Sequence, residues 1–127
     1  MSSENHKSKE NKMTKHHQGI NCVPHSEIQA EQITDGVQRR ILAYGKDAMC
    51  VENIFETGGV GAMHSHPHTQ ITYIVSGRFR FTIGDEVYEV GPGDTLLKEN
   101  GVIHGCTCLE SGVMIDFFSP MREDFVK

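Results

Sequence analysis

Gly58-Gly59-Val60-Gly61-Ala62-Met63-His64-Ser65-His66-Pro67-His68-Thr69-Gln70-Ile71-Thr72-Tyr73-Ile74-Val75-Ser76-Gly77 is the stretch that decides the fold. On an extended chain, residues two apart point to the same face, so His64 and His66 present both imidazoles to one side. Gln70 follows with an amide oxygen, and His104 closes a later strand-like run with a third imidazole. Three imidazoles and an amide oxygen suit a borderline divalent cation such as zinc, nickel, iron or manganese. The expected cofactor is one such ion per chain, held by His64, His66, Gln70 and His104. All four donors are neutral, so the ion keeps its full formal charge. That favours Lewis-acid work on an oxygen-rich anion over redox cycling. The plain alternative for Gln70 is a hydrogen-bonded polar side chain inside the fold. His68 follows Pro67, which distorts the strand, and reads as a supporting or exposed residue.

Read as a pattern, glycine, five residues, His-x-His, three residues, Gln70, six residues and Gly77 resembles the first motif of the cupin family, with glutamine where that motif has glutamate. The run from Gly93 to Cys108 resembles the second, with Gly93, Gly101 and His104 in their places and Glu99 and Cys108 replacing a proline and an asparagine. Outward from these motifs, short β-branched or aromatic runs alternate with glycine turns. Strands are predicted over 38–44, 49–55, 69–75, 78–83, 87–90, 95–98, 103–108 and 113–118. Amphipathic helices of useful length and internal repeats are both missing from the pattern. Ser119-Pro120 can start a short terminal helix over 121–126. The expected fold is all-β, a single small jelly-roll sandwich or barrel with a short C-terminal helix or turn, as the cupin resemblance implies.

A chain of 127 residues is long enough for one sandwich domain with a pocket. Residues 1–19 are polar with little to bury and read as a flexible tail, His16 and His17 as a solvated pair, and 20–127 as the domain. The net charge of −5 and the lack of a basic stripe argue against nucleic acid. The same charge disfavours an acidic substrate unless the site is locally positive. No apolar run is long enough for a membrane span or a signal peptide, so the expected compartment is the cytoplasm. There the four cysteines, which form no C-x-x-C pair, read as buried thiols. Cys106 and Cys108 are in phase with His104, and a thiol in the barrel is the expectation for both.

Val113-Met114-Ile115-Asp116-Phe117-Phe118 places a carboxylate within an apolar strand that reads as buried on both faces. Such a group is expensive unless it is paired or functional. An ion pair with Arg122 or Arg80 and a catalytic role are equally open on this reading. The block Gln38 to Gly45, the H-S-H-P-H-x-Q-I-T-Y block and the ending D-F-F-S-P-M-R-E-D-F together resemble the KdgF family of uronate-linearising cupins, over nearly everything from Val37 to Phe125. That resemblance implies a metal on His64, His66, Gln70 and His104, a catalytic Asp116 and Arg122, and Phe118 as the aromatic beside them. It implies ring opening and ketonisation of 4,5-unsaturated monouronates, a small-molecule substrate, with no net redox. The alternatives are a metal-dependent dioxygenase and a non-catalytic sugar-binding cupin. A homodimer paired through sheet edges is the expected assembly.

Overall fold

The computed structural model describes residues 14–127. Ten strands among them form two antiparallel sheets. The larger runs β1 (Glu31–Thr34), β2 (Val37–Tyr44), β3 (Met49–Phe55), β10 (Gly112–Ser119), β5 (Thr69–Ile74) and β8 (Thr95–Lys98). The smaller runs β4 (Val60–His64), β9 (His104–Glu110), β6 (Arg78–Ile83) and β7 (Glu86–Val90). This is the expected all-β jelly-roll sandwich. Among the described residues, regular structure outside the strands is two single 3-10 turns, His25–Glu27 and Glu123–Phe125. The terminal helix expected over 121–126 is reduced to the second of these, because Arg122 is still extended. No helix among the described residues is long and apolar enough to cross a membrane.

The strands form because apolar residues recur at every second position and meet across the sandwich. Phe79 and Phe81 from the small sheet pack on Phe55, Ile74 and Met114 from the large one. The Phe55 and Phe79 rings meet edge to face at 5.3 Å, and emptying the Phe79 position costs about 3–5 kcal/mol. A second cluster, Ile41, Tyr44, Met49, Val51, Phe118 and Met121, closes the other end of the large sheet. The inward faces of β3, β5, β8 and β10 also carry Asn53, Gln70, Thr72, Lys98 and Asp116, all buried.

Four expectations change. Of the four cysteines expected to be buried thiols, Cys108 alone is fully buried and Cys22 is exposed. Two strands escaped the sequence pattern: β1 is a mostly polar edge strand, and β4 contains Gly61 and Ala62, which give no β signal. β10 is buried on its Met114-Asp116-Phe118 face alone, and Phe117 on the other face is 47 % exposed. His17 is buried: its ring packs edge-on against Tyr44 and hydrogen-bonds the Leu42 carbonyl at 2.9 Å. Most of the polar stretch 1–19 lies outside the described residues. At the β5–β6 turn Gly77 has φ 82° and sits where a Cβ would lie 2.5 Å from the Glu110 carbonyl oxygen, so glycine is required.

Candidate metal centre

β4 and β9 pair antiparallel so that His64 stands opposite His104, with ring centroids 4.6 Å apart. His66 lies beyond the end of β4, so the same-face argument for His-x-His does not hold literally. The chain turns its ring back nonetheless, to 5.4 Å from His64 and 4.9 Å from His104. One nitrogen from each of the three rings falls within 4.8 Å of the others. Gln70, on the opposing sheet, brings Oε1 to 3.0 Å from His66 Nε2. All four residues singled out by the motif spacing are thus together. His66 and His104 are buried and His64 forms the exposed rim.

These residues fit a divalent ion. His64 Nδ1 donates to the Ala62 carbonyl at 2.7 Å and His104 Nδ1 to the Val102 carbonyl at 3.1 Å, which fixes ring orientation and leaves each Nε2 lone pair available. His104 Nε2 is buried and has no hydrogen-bond partner among the described residues. A buried nitrogen left so costs about 1–3 kcal/mol, and a cation taking its lone pair removes that cost. Burial pushes the His104 imidazole down to about 4. Burial and then the Arg122 charge lower His66. Both rings are therefore neutral and ligand-ready at pH 7.

The centre opens into a cavity of about 500 Å³ lined by His64, Gln70, His104, Asp116, Phe118, Arg122, Lys98, Arg39 and Phe125 among others. Asp116 is 3 % exposed and pairs with neither Arg122 nor Arg80. Its carboxylate accepts from three neutral donors: Asn53 Nδ2 at 2.6 Å on one oxygen, and Gln70 Nε2 at 2.9 Å with the Thr72 hydroxyl on the other. Register explains this, since Thr72 lies directly opposite Asp116 on β5 and Lys98 directly opposite Gln70 on β8. The Lys98 ammonium donates to the Thr72 hydroxyl and sits 4.5 Å from the Phe81 ring centroid. Burial lowers its proton affinity while Asp116 restores part of it. Gln70 therefore has two ends in use, its carbonyl toward His66 and its amide on Asp116.

Arg122 is buried against Phe118 and Phe125 and is gripped by Asp124, Nε at 3.0 Å and Nη2 at 2.8 Å. That bond is the main cause that lowers Asp124. His68 is half-buried, its ring against His66 and Phe118, in keeping with a supporting role. Cys106 lines the cavity with its thiol pushed up to about 11 by burial, so it is protonated at neutral pH. Cys108 donates to the Glu110 carbonyl. Arg78 and Arg80 are exposed and pair with Glu89. The sequence reading missed Arg39, Asn53, Thr72 and Lys98. The signal for Asn53 and Lys98 was present, each a polar residue on an otherwise apolar inward face, and Thr72 alternates in phase with Gln70.

The profile of the cupin domain matches residues 52–118, more than half of the chain and the whole span between β3 and β10 that holds the three histidines, Gln70 and Asp116. The chain belongs to the cupin family. This cupin is 38 % identical over 98 residues, 76 % of its own length and 89 % of the relative's, to the pectin degradation protein KdgF of Dickeya dadantii (strain 3937). Among solved structures it is similar to KdgF from Halomonas sp., at 34 % identity and TM-score 0.79, covering 83 % of this chain and 97 % of that one. It is also similar to a RmlC-like cupin from Shewanella frigidimarina NCIMB 400, at 33 % identity and TM-score 0.83, covering 86 % and 98 %.

Proposed function

We propose that this cupin is an isomerase that opens and ketonises 4,5-unsaturated monouronates, the monomers released when pectin or alginate is cut by elimination. The observation that carries the reading is Asp116, a buried carboxylate in the cavity wall, tied through one glutamine to the histidine cluster. Its similarity to the two KdgF proteins supports the substrate class.

His64, His66, Gln70 and His104 would hold a divalent ion, which when bound supplies positive charge to polarise the sugar's oxygens. The remaining work falls to the chain. Asp116 takes the proton of the C1 hydroxyl as the bond from C1 to the ring oxygen breaks, giving an aldehyde at C1 and an enol oxygen at C5. A proton is then delivered to C4 as the C5 oxygen becomes a ketone, so one proton moves from oxygen to carbon with no change in oxidation state. The three donors on Asp116 are neutral, so the carboxylate can accept and release that proton without breaking an ion pair. Phe118 offers an apolar surface to the ring. Arg122 adds positive charge for the uronate carboxylate, with Nη1 not used by Asp124.

The test is incubation of metal-loaded protein with an unsaturated monouronate. Loss of the conjugated absorbance and appearance of a C5 ketone by NMR are expected, faster than the spontaneous reaction. Tight binding without turnover would instead identify a sugar-binding module, and oxygen uptake by iron-loaded protein a dioxygenase. We also assign it to the cytoplasm, consistent with its four free cysteines, and as a homodimer. Support for pairing is the outer face of the large sheet, where Ile71, Tyr73, Leu97 and Phe117 are each more than two-fifths exposed on adjacent strands.

A further inference from the structure

We propose that Arg39 is the residue by which this cavity selects a singly charged carboxylate sugar over a neutral one, binding the carboxylate directly beside Arg122. This rests on the reading of the cavity as a uronate site and adds a recognition group to it.

The protein has five arginines. Arg40 pairs with Glu52, Arg78 and Arg80 with Glu89, and Arg122 with Asp124. Arg39 alone has no carboxylate within salt-bridge distance among the described residues. It is nonetheless half-buried in the cavity wall. Its guanidinium carbon stacks 3.9 Å from the centroid of Phe125, the same ring that Arg122 meets at 4.1 Å. Among the described residues its one hydrogen bond, Nε to Asn53 Oδ1, is long at 3.4 Å and uses none of the terminal Nη donors.

The other charges of the cavity wall are answered. Asp116 answers Lys98 through Thr72, and Asp124 answers Arg122. Among the chain's own described side chains here one positive charge is left over, in a molecule whose net charge is −5. An uncompensated cation in a partly desolvated wall is costly unless a ligand supplies the anion. Burial and the neighbouring Arg122 both disfavour charge on Arg39, which points the same way. A planar fork with free Nη groups matches the two oxygens of a carboxylate.

The experiment is a binding cycle that needs no turnover. Galacturonate and galactose, which differ only in the carboxylate, are titrated by calorimetry or NMR into the metal-loaded parent, Arg39→Gln and Arg39→Lys. The parent is expected to prefer galacturonate, and Arg39→Gln to lose about tenfold or more of that preference while its affinity for galactose is unchanged. Arg39→Lys keeps the charge but not the fork and is expected to fall between. It also serves as the readable variant if the glutamine form does not fold. A parent without preference for galacturonate overturns the proposal, as does an Arg39→Gln protein, or failing that an Arg39→Lys protein, whose preference stays within twofold of the parent. Linearisation is assayed on the same samples. Turnover with an unchanged preference defeats the role of Arg39 and leaves the proposed function standing. A preference that the parent shows and Arg39→Gln loses, in a parent that never turns over, does the reverse.

Discussion

Asp116→Asn perturbs a single atom at the point where the polar network converges. The carboxylate accepts from Asn53 on one oxygen and from Gln70 and Thr72 on the other. An asparagine keeps one acceptor and turns the other into an NH2 group. If its oxygen stays with Gln70 and Thr72, its NH2 faces the Asn53 NH2. Asn53 can flip to offer its oxygen, but that oxygen then leaves Arg39 Nε. One charge-assisted hydrogen bond is lost on either route, about 1.5–3 kcal/mol. In a urea titration this moves the midpoint down by about 1 M, well short of unfolding a domain with about 5–15 kcal/mol of stability. The chemical step loses its proton carrier and falls by about 10²- to 10⁴-fold. Gln70 also loses the anion that fixed its amide, so metal affinity weakens and the assay belongs at saturating metal. A folded, metal-loaded Asp116→Asn protein that linearises unsaturated uronate at the parent rate would refute the mechanism outright.

The remaining predictions concern the histidines and Gln70. His64→Ala and His104→Ala are each expected to lose bound metal by elemental analysis, and full retention in both sinks the assignment. Gln70→Glu puts a carboxylate where an amide now donates to Asp116 at 2.9 Å, so the two acids repel and share a proton. Metal is expected to stay while turnover drops, and equal turnover at equal loading counts against this account. For the metal-free protein, the unfolded chain binds a proton at His104 below its ordinary 6.5, whereas the folded protein does so only near 4. The unfolded state thus holds more protons in that window. Stability is full above about pH 6.5 and declines as the pH falls toward about 4. Urea midpoints across this range measure it, and His104→Gln is expected to flatten the slope.

The fold was legible where the chain alternates strongly, as in Met49–Phe55 or Thr69–Ile74. β1 and β4 were not, because an edge strand has little need of apolar residues and β4 carries Gly61 and Ala62, which give no β signal. The grouping of His64, His66, Gln70 and His104 could be read from spacing because the motif constrains residue type and interval together. Lys98 was passed over although it alternates with Leu96, since a lysine in a strand ordinarily reads as the solvent face. Arg39 could not be found this way. Its distinction is the lack of a partner, which only three-dimensional neighbours reveal.

β10 is hydrogen-bonded on both edges, to β3 and to β5, and adjacent residues along it face opposite sides of the sheet. A slip of one residue would turn Asp116 out to solvent and bring Phe117 into the cavity. On the proposed mechanism this strand is accordingly digital: the frame is either right or the chemistry is gone, with no graded loss between. The frame is pinned at Gly112, where any Cβ would collide with the Ser76 carbonyl. That glycine lies four residues from Asp116, about 13 Å along an extended strand. A side chain there threatens activity without touching metal, substrate or base, which makes Gly112 the remote guardian of the reading frame.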